Sequence, residues 1–189
     1  MAILKVARLG HPVLRQPARP VPVEAIGTPE IQRLIDDLIE TMRDYNGVGI
    51  AAPQVHVGQR IVVVESGPNP RYPDAPPIPL AVYINPELTP LTTETEPDWE
   101  GCLSIPDLRG LVPRIRRVRL AALDREGRPV ALEASGWHAR ILQHECDHLD
   151  GRVYLDRMPD LSTLTHLTEY ARYWAGRPPA VRPPAGQGS

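Results

Sequence analysis

Three features that would assign this sequence to a special class are missing from it. No apolar run approaches the roughly 18 residues that a transmembrane helix needs, so no membrane-spanning segment is predicted. The 21 basic and 23 acidic residues leave a net charge of -2, which gives no reason to expect a nucleic-acid or membrane-surface partner. The first residues lack the basic, then apolar, then small-residue layout of a secretory signal. We therefore expect a cytoplasmic protein with no nucleic-acid substrate and no membrane association.

Cysteine and phenylalanine are also scarce. Only two cysteines are present, and in a reducing compartment they are better candidates for metal ligands than for a disulfide. Phenylalanine is absent, whereas the 23 prolines predict many turns and extended segments between elements. The 189 residues, of which 42% are apolar, are enough for one domain with a proper core.

The most informative stretch is 143–149, which contains the pattern His-Glu-x-x-His. Residues four apart lie on one face of an α-helix, so His144 and His148 can hold one metal ion between them. Glu145 flanks the same face, where a carboxylate can handle the protons of a metal-bound water. Cys146 points to the far side and is predicted to be a small buried residue, not a ligand.

The simplest alternative for this stretch is a surface helix with two incidental histidines. Apolar residues on several sides of the helix argue against it, because such a helix is typical of a protein core. Trp137 and Ile141 lie near the histidine face, and Ala139 and Leu142 lie opposite. Buried histidines and a buried glutamate need partners, and a metal ion is the obvious one.

Two histidines leave the ligand set incomplete, because a catalytic site of this kind normally has three protein ligands and a water. Cys102, in the stretch 100–104, is the preferred third ligand, since a thiolate beside two imidazoles is a sound donor set. Cys102 is alternatively a buried structural thiol. In that case the third ligand would follow His148 in the chain, where the options are Asp150, Asp156 and His166.

A stretch of small residues covers 47–54 and ends at Gln54. Small side chains allow another backbone to approach closely, although a tight loop after a helix is an equally good interpretation. It is not a phosphate-binding loop, because no Gly-Lys-Ser/Thr follows and no strand precedes it. The Gln54 side chain can donate hydrogen bonds from its amide.

Periodicity and turn residues predict the remaining elements. Helices are expected at 28–45, from Ser135 to Gly151, and at 162–174, with a short helical turn after His11. Strands are expected at 60–65, 81–84, within 88–96, 112–123 and 130–134. A proline-rich surface loop is predicted at 66–79. The four arginines at 114, 116, 117 and 119 are interpreted as the solvated face of a strand rather than a nucleic-acid stripe.

Together the three stretches closely resemble the signature motifs of peptide deformylases. The motifs are Gly47-x-Gly49-x-Ala51-Ala52-x-Gln54, Glu100-Gly101-Cys102-Leu103-Ser104 and Gln143-His144-Glu145-x-Asp147-His148-Leu149. The resemblance covers roughly residues 5–160. The flanking residues look more like the subgroup that includes organellar and some bacterial members.

The resemblance implies an α+β fold. Small antiparallel sheets are expected to surround a central metal-binding helix, with an N-terminal helix and a short C-terminal helix. We expect a single catalytic domain over residues 1–176. The proline- and glycine-rich segment 177–189 is predicted to be a flexible tail, because its composition cannot form a packed core.

The resemblance also implies a function. It predicts a metal-dependent hydrolase that removes the N-formyl group from formylmethionine on newly synthesised polypeptides and releases formate. Cys102, His144 and His148 are expected to hold the metal, Glu145 to be the acid/base, and Gln54 with the N–H of Leu103 to stabilise the oxyanion. Substrate contacts are expected from Val48, Gly49, Gly101, Arg109, Arg140 and Ile141.

Cofactor and partners follow from the same resemblance. Fe²⁺ is the ion expected in the cell, and Zn²⁺, Ni²⁺ or Co²⁺ are expected in purified samples. N-formylmethionyl nascent peptides are the expected partners, and the ribosome is a second candidate. Two alternative functions stay open: a general His-Glu-x-x-His metallopeptidase, and a catalytically dead metal-binding or ribosome-associated module. The presence of Glu145 and Gln54 argues against a dead module.

Overall fold

The computed structural model describes residues 2–177, so nearly all of the tail expected at 177–189 lies outside the described residues. Within that part of the chain the helices are α1 (Pro29–Asp44), α2 (Gly136–Leu149) and α3 (Leu167–Tyr173). The strands are β1 (Gly49–Ala51), β2 (Ile61–Ser66), β3 (Ile78–Pro90), β4 (Thr95–Cys102), β5 (Ile105–Ile115), β6 (Arg117–Leu123), β7 (Pro129–Ser135) and β8 (Thr165–His166). Short 3₁₀ helices cover Pro12–Arg15, Val23–Ala25, Ala52–Val55, Tyr154–Arg157 and Leu161–Thr163.

The strands form two antiparallel sheets. The larger sheet has the order β1-β2-β3-β6-β7, and the smaller has the order β4-β5-β8. β1 and β4 are therefore edge strands of different sheets. The α+β fold predicted from the sequence is confirmed. None of the helices between residues 2 and 177 has the length and apolar character to span a bilayer.

The larger sheet is covered by a helix on each face, and β2 shows why. Successive side chains of a strand point to opposite faces. Ile61 and Val63 of β2 pack in a cluster with the apolar face of α1, whereas Val62 and Val64 pack with Leu142 and its neighbours on α2. Burial on both faces explains the continuous apolar run in this strand. The sheet therefore holds α1 and α2 on opposite sides of its core.

Helix α1 agrees with its prediction. Thr28 is the N-cap, where its hydroxyl accepts a hydrogen bond from the Ile31 N–H, and Pro29 occupies the first helical turn. The helix ends at Asp44, and Asn46 follows with a positive φ of 51°. Its buried face consists of residues at helical spacing: Ile31, Ile35, Leu38, Ile39 and Met42.

Helix α2 carries the His-Glu-x-x-His stretch and lies between the two sheets. Ser135 precedes it in the N-cap position, although the Ser135 side chain makes no capping hydrogen bond. After the C-cap Asp150, Gly151 adopts the left-handed conformation with φ 71°, which ends the helix as predicted. The helix contacts β1, β2 and β3 of the larger sheet and β5 of the smaller one. Its histidines are therefore enclosed by both sheets.

Three predictions of secondary structure were wrong in extent. The single strand predicted at 112–123 is divided at residue 116 into β5 and β6, which belong to different sheets. The strand predicted to close at residue 84 continues in β3 to Pro90, because a register shift between Ile84 and Glu87 accommodates Pro86. The helix predicted at 162–174 begins only at Leu167, because residues 165 and 166 pair with β5 as strand β8. Strand pairing has overridden the helical periodicity there.

The prediction that all four arginines lie on the solvated face of a strand was also wrong at one position. Arg116, Arg117 and Arg119 are exposed and pair with surface glutamates. Arg114 is only 5% exposed and ends in the protein interior. Its guanidinium is buried because two buried carboxylates, those of Glu100 and Asp147, receive it.

Candidate active site

Three side chains capable of binding a metal converge between β4 and α2. Cys102 is the last residue of β4, and His144 and His148 lie one turn apart on α2. One ligand atom from each of the three lies within 4.8 Å of the other two. The Sγ of Cys102 is 3.3 Å from the Nε2 of His148. All three residues are buried, so the helix and the sheet edge together present one sulfur and two imidazoles to a common point.

The electrostatics of this group favour a thiolate. Burial by itself raises the pKa of the Cys102 thiol, but the charge of His148 and hydrogen bonds from both histidines lower that pKa well below its usual value. Burial likewise lowers the pKa of His144, yet Cys102 and Glu100 raise it well above its usual value. A thiolate with two imidazoles is a donor set that suits a single divalent transition-metal ion. Three protein ligands also leave a position for water or substrate, as in catalytic sites.

A buried carboxylate orients the first histidine. Glu100 is 4% exposed, and its Oε2 lies 2.8 Å from the Nδ1 of His144. Because an ionised carboxylate can only accept, Nδ1 donates and the Nε2 of His144 is left for a metal. Burial would raise the pKa of Glu100, but the charge and hydrogen bonds of Arg114 hold it far below its usual range. Glu100 therefore stays ionised behind His144.

The carboxylate of Glu100 belongs to a buried ion-pair network. Arg114 donates to both of its oxygens, over 2.8 and 2.9 Å, and Arg140 donates to Oε1 over 2.8 Å. Arg114 also donates to Asp147 on α2, and Arg157 pairs with Asp147 from outside. The network thus joins β4, β5 and α2 directly behind the histidines.

Sequence reasoning assigned no role to this network. Glu100 and Asp147 both lie inside motif stretches. A charged residue in an otherwise buried motif was the available signal that these carboxylates have buried partners. Arg114 carried no local signal, because its burial depends on where β5 meets α2.

Glu145 lies on the same side of α2, against strand β1. It is buried, and a Cβ placed on Gly49 would lie 2.5 Å from its Oε1, so only glycine leaves room for this carboxylate. Burial raises the pKa of Glu145 to about 7. Its Oε2 has no hydrogen-bond partner among residues 2–177. A carboxyl group with these properties can accept and return a proton near neutral pH.

Gln54 is held in a single orientation beside the ligand group. Its Oε1 accepts a hydrogen bond from the Ala51 N–H over 2.9 Å. Its amide nitrogen therefore faces inward, 3.2 Å from the Oγ of Ser104 and 3.5 Å from the Sγ of Cys102. The amide is buried, so its N–H groups form a fixed pair of donors at the edge of the candidate metal site.

A cleft opens onto this group from the protein surface. Residues from the edge strands β1 and β4, from α2 and from the 66–79 loop form its walls. They are Gly47, Val48, Gly49, Gln54, Arg71, Tyr72, Trp99, Glu100, Gly101, Cys102, Leu103, Trp137, Arg140, Ile141, His144 and Glu145. The cleft therefore gives a ligand access to Cys102, His144 and Glu145, while His148 lies fully buried beneath them.

The sequence over residues 3–163 matches the family model described as polypeptide deformylase. The chain belongs to the polypeptide deformylase family. Peptide deformylase 1 of Nitrosomonas europaea is 50% identical over 159 residues, which cover 84% of this chain and 89% of that protein. Peptide deformylase 1 of Bordetella pertussis is 49% identical over 157 residues, covering 83% of this chain and 88% of that protein.

Solved deformylase structures share the fold. The Met-Ala-Ser-bound crystal structure of the class I type b peptide deformylase from Acinetobacter baumannii has a TM-score of 0.80 at 42% identity, covering 83% of this chain and 99% of that one. The peptide deformylase of Thermotoga maritima has a TM-score of 0.74 at 35% identity, covering 85% of this chain and all of that one. The predicted family and enzyme class are confirmed. The enzyme is a metallohydrolase that removes the N-formyl group from new polypeptides, and the general peptidase and the dead module are not favoured.

Two residues predicted to contact substrate differ in placement from the rest. Arg109 does not line the cleft but a neighbouring cavity, where its guanidinium lies over the rings of Tyr72 and Tyr170 at 4.7 and 5.1 Å. Arg140 lines the cleft, yet its guanidinium is engaged by Glu100 and by the carbonyls of Glu96 and Val112. In this deformylase the Arg140 guanidinium therefore belongs to the ion-pair network of Glu100.

The alternative third ligands lie apart from the histidines. Asp150 pairs with Arg60, Asp156 pairs with Arg15, and His166 is on the surface, so none of them joins the group around His148. Cys146 is buried on the far side of α2, and burial raises the pKa of its thiol to about 12. A neutral thiol of this kind is a packing residue.

Proposed function

We propose that Cys102, His144 and His148 hold the one divalent ion that this deformylase uses, and that Fe²⁺ is that ion in the cell. The observation that carries the proposal is the convergence of the three ligand atoms within 4.8 Å, next to Glu145 and at the base of the cleft. A bound divalent ion would supply Lewis acidity and lower the pKa of a water molecule at that point. Zn²⁺, Ni²⁺ or Co²⁺ are the replacements that we propose for purified protein.

Glu145 is assigned the proton transfers. Its free Oε2 accepts a proton from the attacking water, and the same carboxyl group then donates that proton to the amine nitrogen that leaves as formate is released. The raised pKa of Glu145, about 7, suits both steps, because the group is a competent base and a competent acid near neutral pH. Gly49 supports this role by leaving space for the carboxylate.

Gln54 and the backbone N–H of Leu103 are assigned to the developing oxyanion. The Gln54 amide is pre-oriented by Ala51 and Ser104, so its donors need no reorganisation when the formyl oxygen gains charge. Leu103 follows directly after the proposed ligand Cys102 and lines the same cleft. Loss of one such donor typically lowers kcat by about 10²–10³-fold.

The edge strands β1 and β4 are assigned to the peptide backbone. One wall of the cleft contains Val48 and Gly49, and the other contains Gly101. These residues belong to β1 and β4 or adjoin them, and the outer edges of both strands are unpaired within residues 2–177. A peptide can add to such an edge as an extra strand, with little dependence on its sequence. Ile141 and Arg140 are the proposed neighbours of the methionine side chain. A contact from Arg109 requires that the peptide reach the neighbouring cavity.

The proposed substrate in the cell is the nascent chain that begins with N-formylmethionine. A deformylase of Acinetobacter baumannii has been solved with Met-Ala-Ser bound, which is the product that a formylated tripeptide would leave. We propose that the enzyme works in the cytoplasm, where such chains emerge, and that it contacts the ribosome there. We also propose residues 1–176 as one catalytic domain.

Formate release tests the proposal. Purified enzyme should release formate from formyl-Met-Ala-Ser and leave unformylated Met-Ala-Ser intact, and metal analysis of the same sample should give one ion per chain. Glu145→Gln should abolish turnover while the ion is retained, because the amide keeps the shape of the carboxylate but cannot accept the proton. Near-normal turnover by this variant would contradict the role of Glu145. Cleavage of Met-Ala-Ser would instead support the general peptidase.

A further inference from the structure

A short segment near the N-terminus bridges two of the motif stretches. This strap, defined as residues 7–9, lies between Gln54 and Ser104, which are far apart in sequence. The Ala7 N–H donates to the carbonyl oxygen of Gln54 over 2.7 Å, and the Leu9 N–H donates to the carbonyl oxygen of Ser104 over 2.9 Å. The strap therefore tethers the backbone of one proposed oxyanion donor to the loop that contains the other.

The middle residue of the strap reaches the second donor directly. The Nη1 of Arg8 donates to the carbonyl oxygen of Leu103 over 2.8 Å. Arg8 lies on the surface, whereas Leu103 is buried between the proposed ligand Cys102 and Ser104. The Arg8 guanidinium thus holds the main chain of Leu103, and Arg8 is not among the residues that line the cleft.

We propose that Arg8 is a positioning residue for the oxyanion donors of this deformylase. The inference rests on the proposed roles of Gln54 and Leu103. Oxyanion donors act only when they stand about 2.7–3.1 Å from the charged oxygen, and a misplacement of about 1 Å can lower the rate about 100-fold. A charge-assisted hydrogen bond to the Leu103 carbonyl limits the tilt of the peptide units on either side of it. Arg8 contacts Leu103 but does not itself line the cleft.

The size of the effect follows from what remains when Arg8 is removed. The backbone hydrogen bonds of Ala7 and Leu9 stay in place, so the strap keeps its position and the Leu103 segment is loosened rather than released. We therefore expect a decrease in kcat of about 10-fold, below the roughly 100-fold of a full misplacement. The Met-Ala-Ser product lacks the formyl oxygen, so its binding should not depend on these donors.

The test compares three single variants of the full, metal-loaded chain. Arg8→Ala should lower kcat for formyl-Met-Ala-Ser about 10-fold while the inhibition constant of Met-Ala-Ser stays unchanged. Arg8→Lys should restore part of kcat, because the ammonium can still donate to the Leu103 carbonyl. Arg19→Ala is the matched control and should behave as the parent. Arg19 is an exposed arginine outside the strap, and its side chain makes no hydrogen bond or ion pair with residues 2–177.

A fourth variant separates this inference from the proposed function. Gln54→Ala should lower kcat about 10²-fold or more. If Gln54→Ala is impaired and Arg8→Ala turns over normally, the role of Arg8 is overturned and the oxyanion assignment stands. If Gln54→Ala is fully active, the oxyanion assignment itself fails. If Arg8→Ala weakens Met-Ala-Ser binding by the same factor as kcat, the strap has only a structural role and the inference is overturned.

Discussion

Replacing the buried carboxylate of Glu100 by an amide should destabilise the metal-free protein and lower its affinity for the metal ion. Glu100 accepts four hydrogen bonds, from the Nδ1 of His144, from two guanidinium nitrogens of Arg114 and from one of Arg140. In Glu100→Gln the negative charge disappears, and in either orientation the amide N–H₂ faces a guanidinium nitrogen that can only donate. Arg114 keeps Asp147 as a partner, so part of its charge remains compensated.

The magnitude follows from the burial of the pair. Removing one partner of a buried ion pair costs about 3–5 kcal/mol, and the remaining Asp147 contact favours the lower end, about 3 kcal/mol. With a urea m-value of about 2 kcal/mol/M, the unfolding midpoint of the metal-free protein should fall by about 1.5 M. Because the amide no longer orients His144, the affinity for the metal should also fall by about 10–100-fold.

Urea unfolding of the metal-free protein and chelator competition measure the two effects separately. The metal-free form is needed because a bound ion adds its own binding free energy to the apparent stability. Glu133→Gln is the matched control: it makes the same change in an exposed carboxylate that pairs with Arg117 and Arg119. Exposed pairs contribute little, so its midpoint should not move measurably. If both variants unfold at the same urea concentration and bind metal equally, the buried charge has no structural importance and the reasoning fails.

Three further predictions follow from the same region. Gly49→Ala should retain the metal but lower kcat about 100-fold, because its Cβ would meet the Glu145 carboxylate. Gly58→Ala is the control and should be fully active, because the added Cβ has open space there. Gly151→Ala should lower stability by about 1–3 kcal/mol in thermal unfolding, since φ is 71° and the Cβ would lie 2.8 Å from the carbonyl carbon of Arg15; an unchanged Tm would contradict this. The iron form should lose activity in air and the nickel form should not, because Fe²⁺, unlike Ni²⁺, reacts with O₂ beside the readily oxidised thiolate that we propose as a ligand. Equal decay of both forms would exclude that explanation.

Local patterns in the sequence predicted the elements whose structure depends on nearby residues. Helix α1 was recognised from its cap at Thr28 and its apolar period, and helix α2 from its spacing and its terminal Gly151. The common face of His144 and His148 follows from helix geometry alone. The continuous run of β-branched, apolar residues indicated β2, although not the neighbours of that strand.

Predictions that depended on distant contacts were less complete. The first part of the helix expected at 162–174 is not helical, because residues 165 and 166 form strand β8. This strand pairs with the edge of β5, and the periodicity of the sequence carries no information about that pairing. Arg114 was expected at the surface and instead enters the interior, where Glu100 and Asp147 compensate its charge. Arg109 was expected near the methionine pocket; it lines the cavity next to the cleft, and its contact with substrate stays a prediction.

By itself the sequence determined the family, the enzyme class and the helical pair of histidines, because motif residues and helical spacing are properties of short stretches. Only the tertiary structure decided that the Cys102 sulfur lies 3.3 Å from His148, that Glu100 stands behind His144, and that the strap at 7–9 holds Leu103. Each of these contacts joins residues separated by more than forty positions. Their distances depend on how strands pair and how a helix packs between two sheets, and no short stretch of sequence encodes that arrangement.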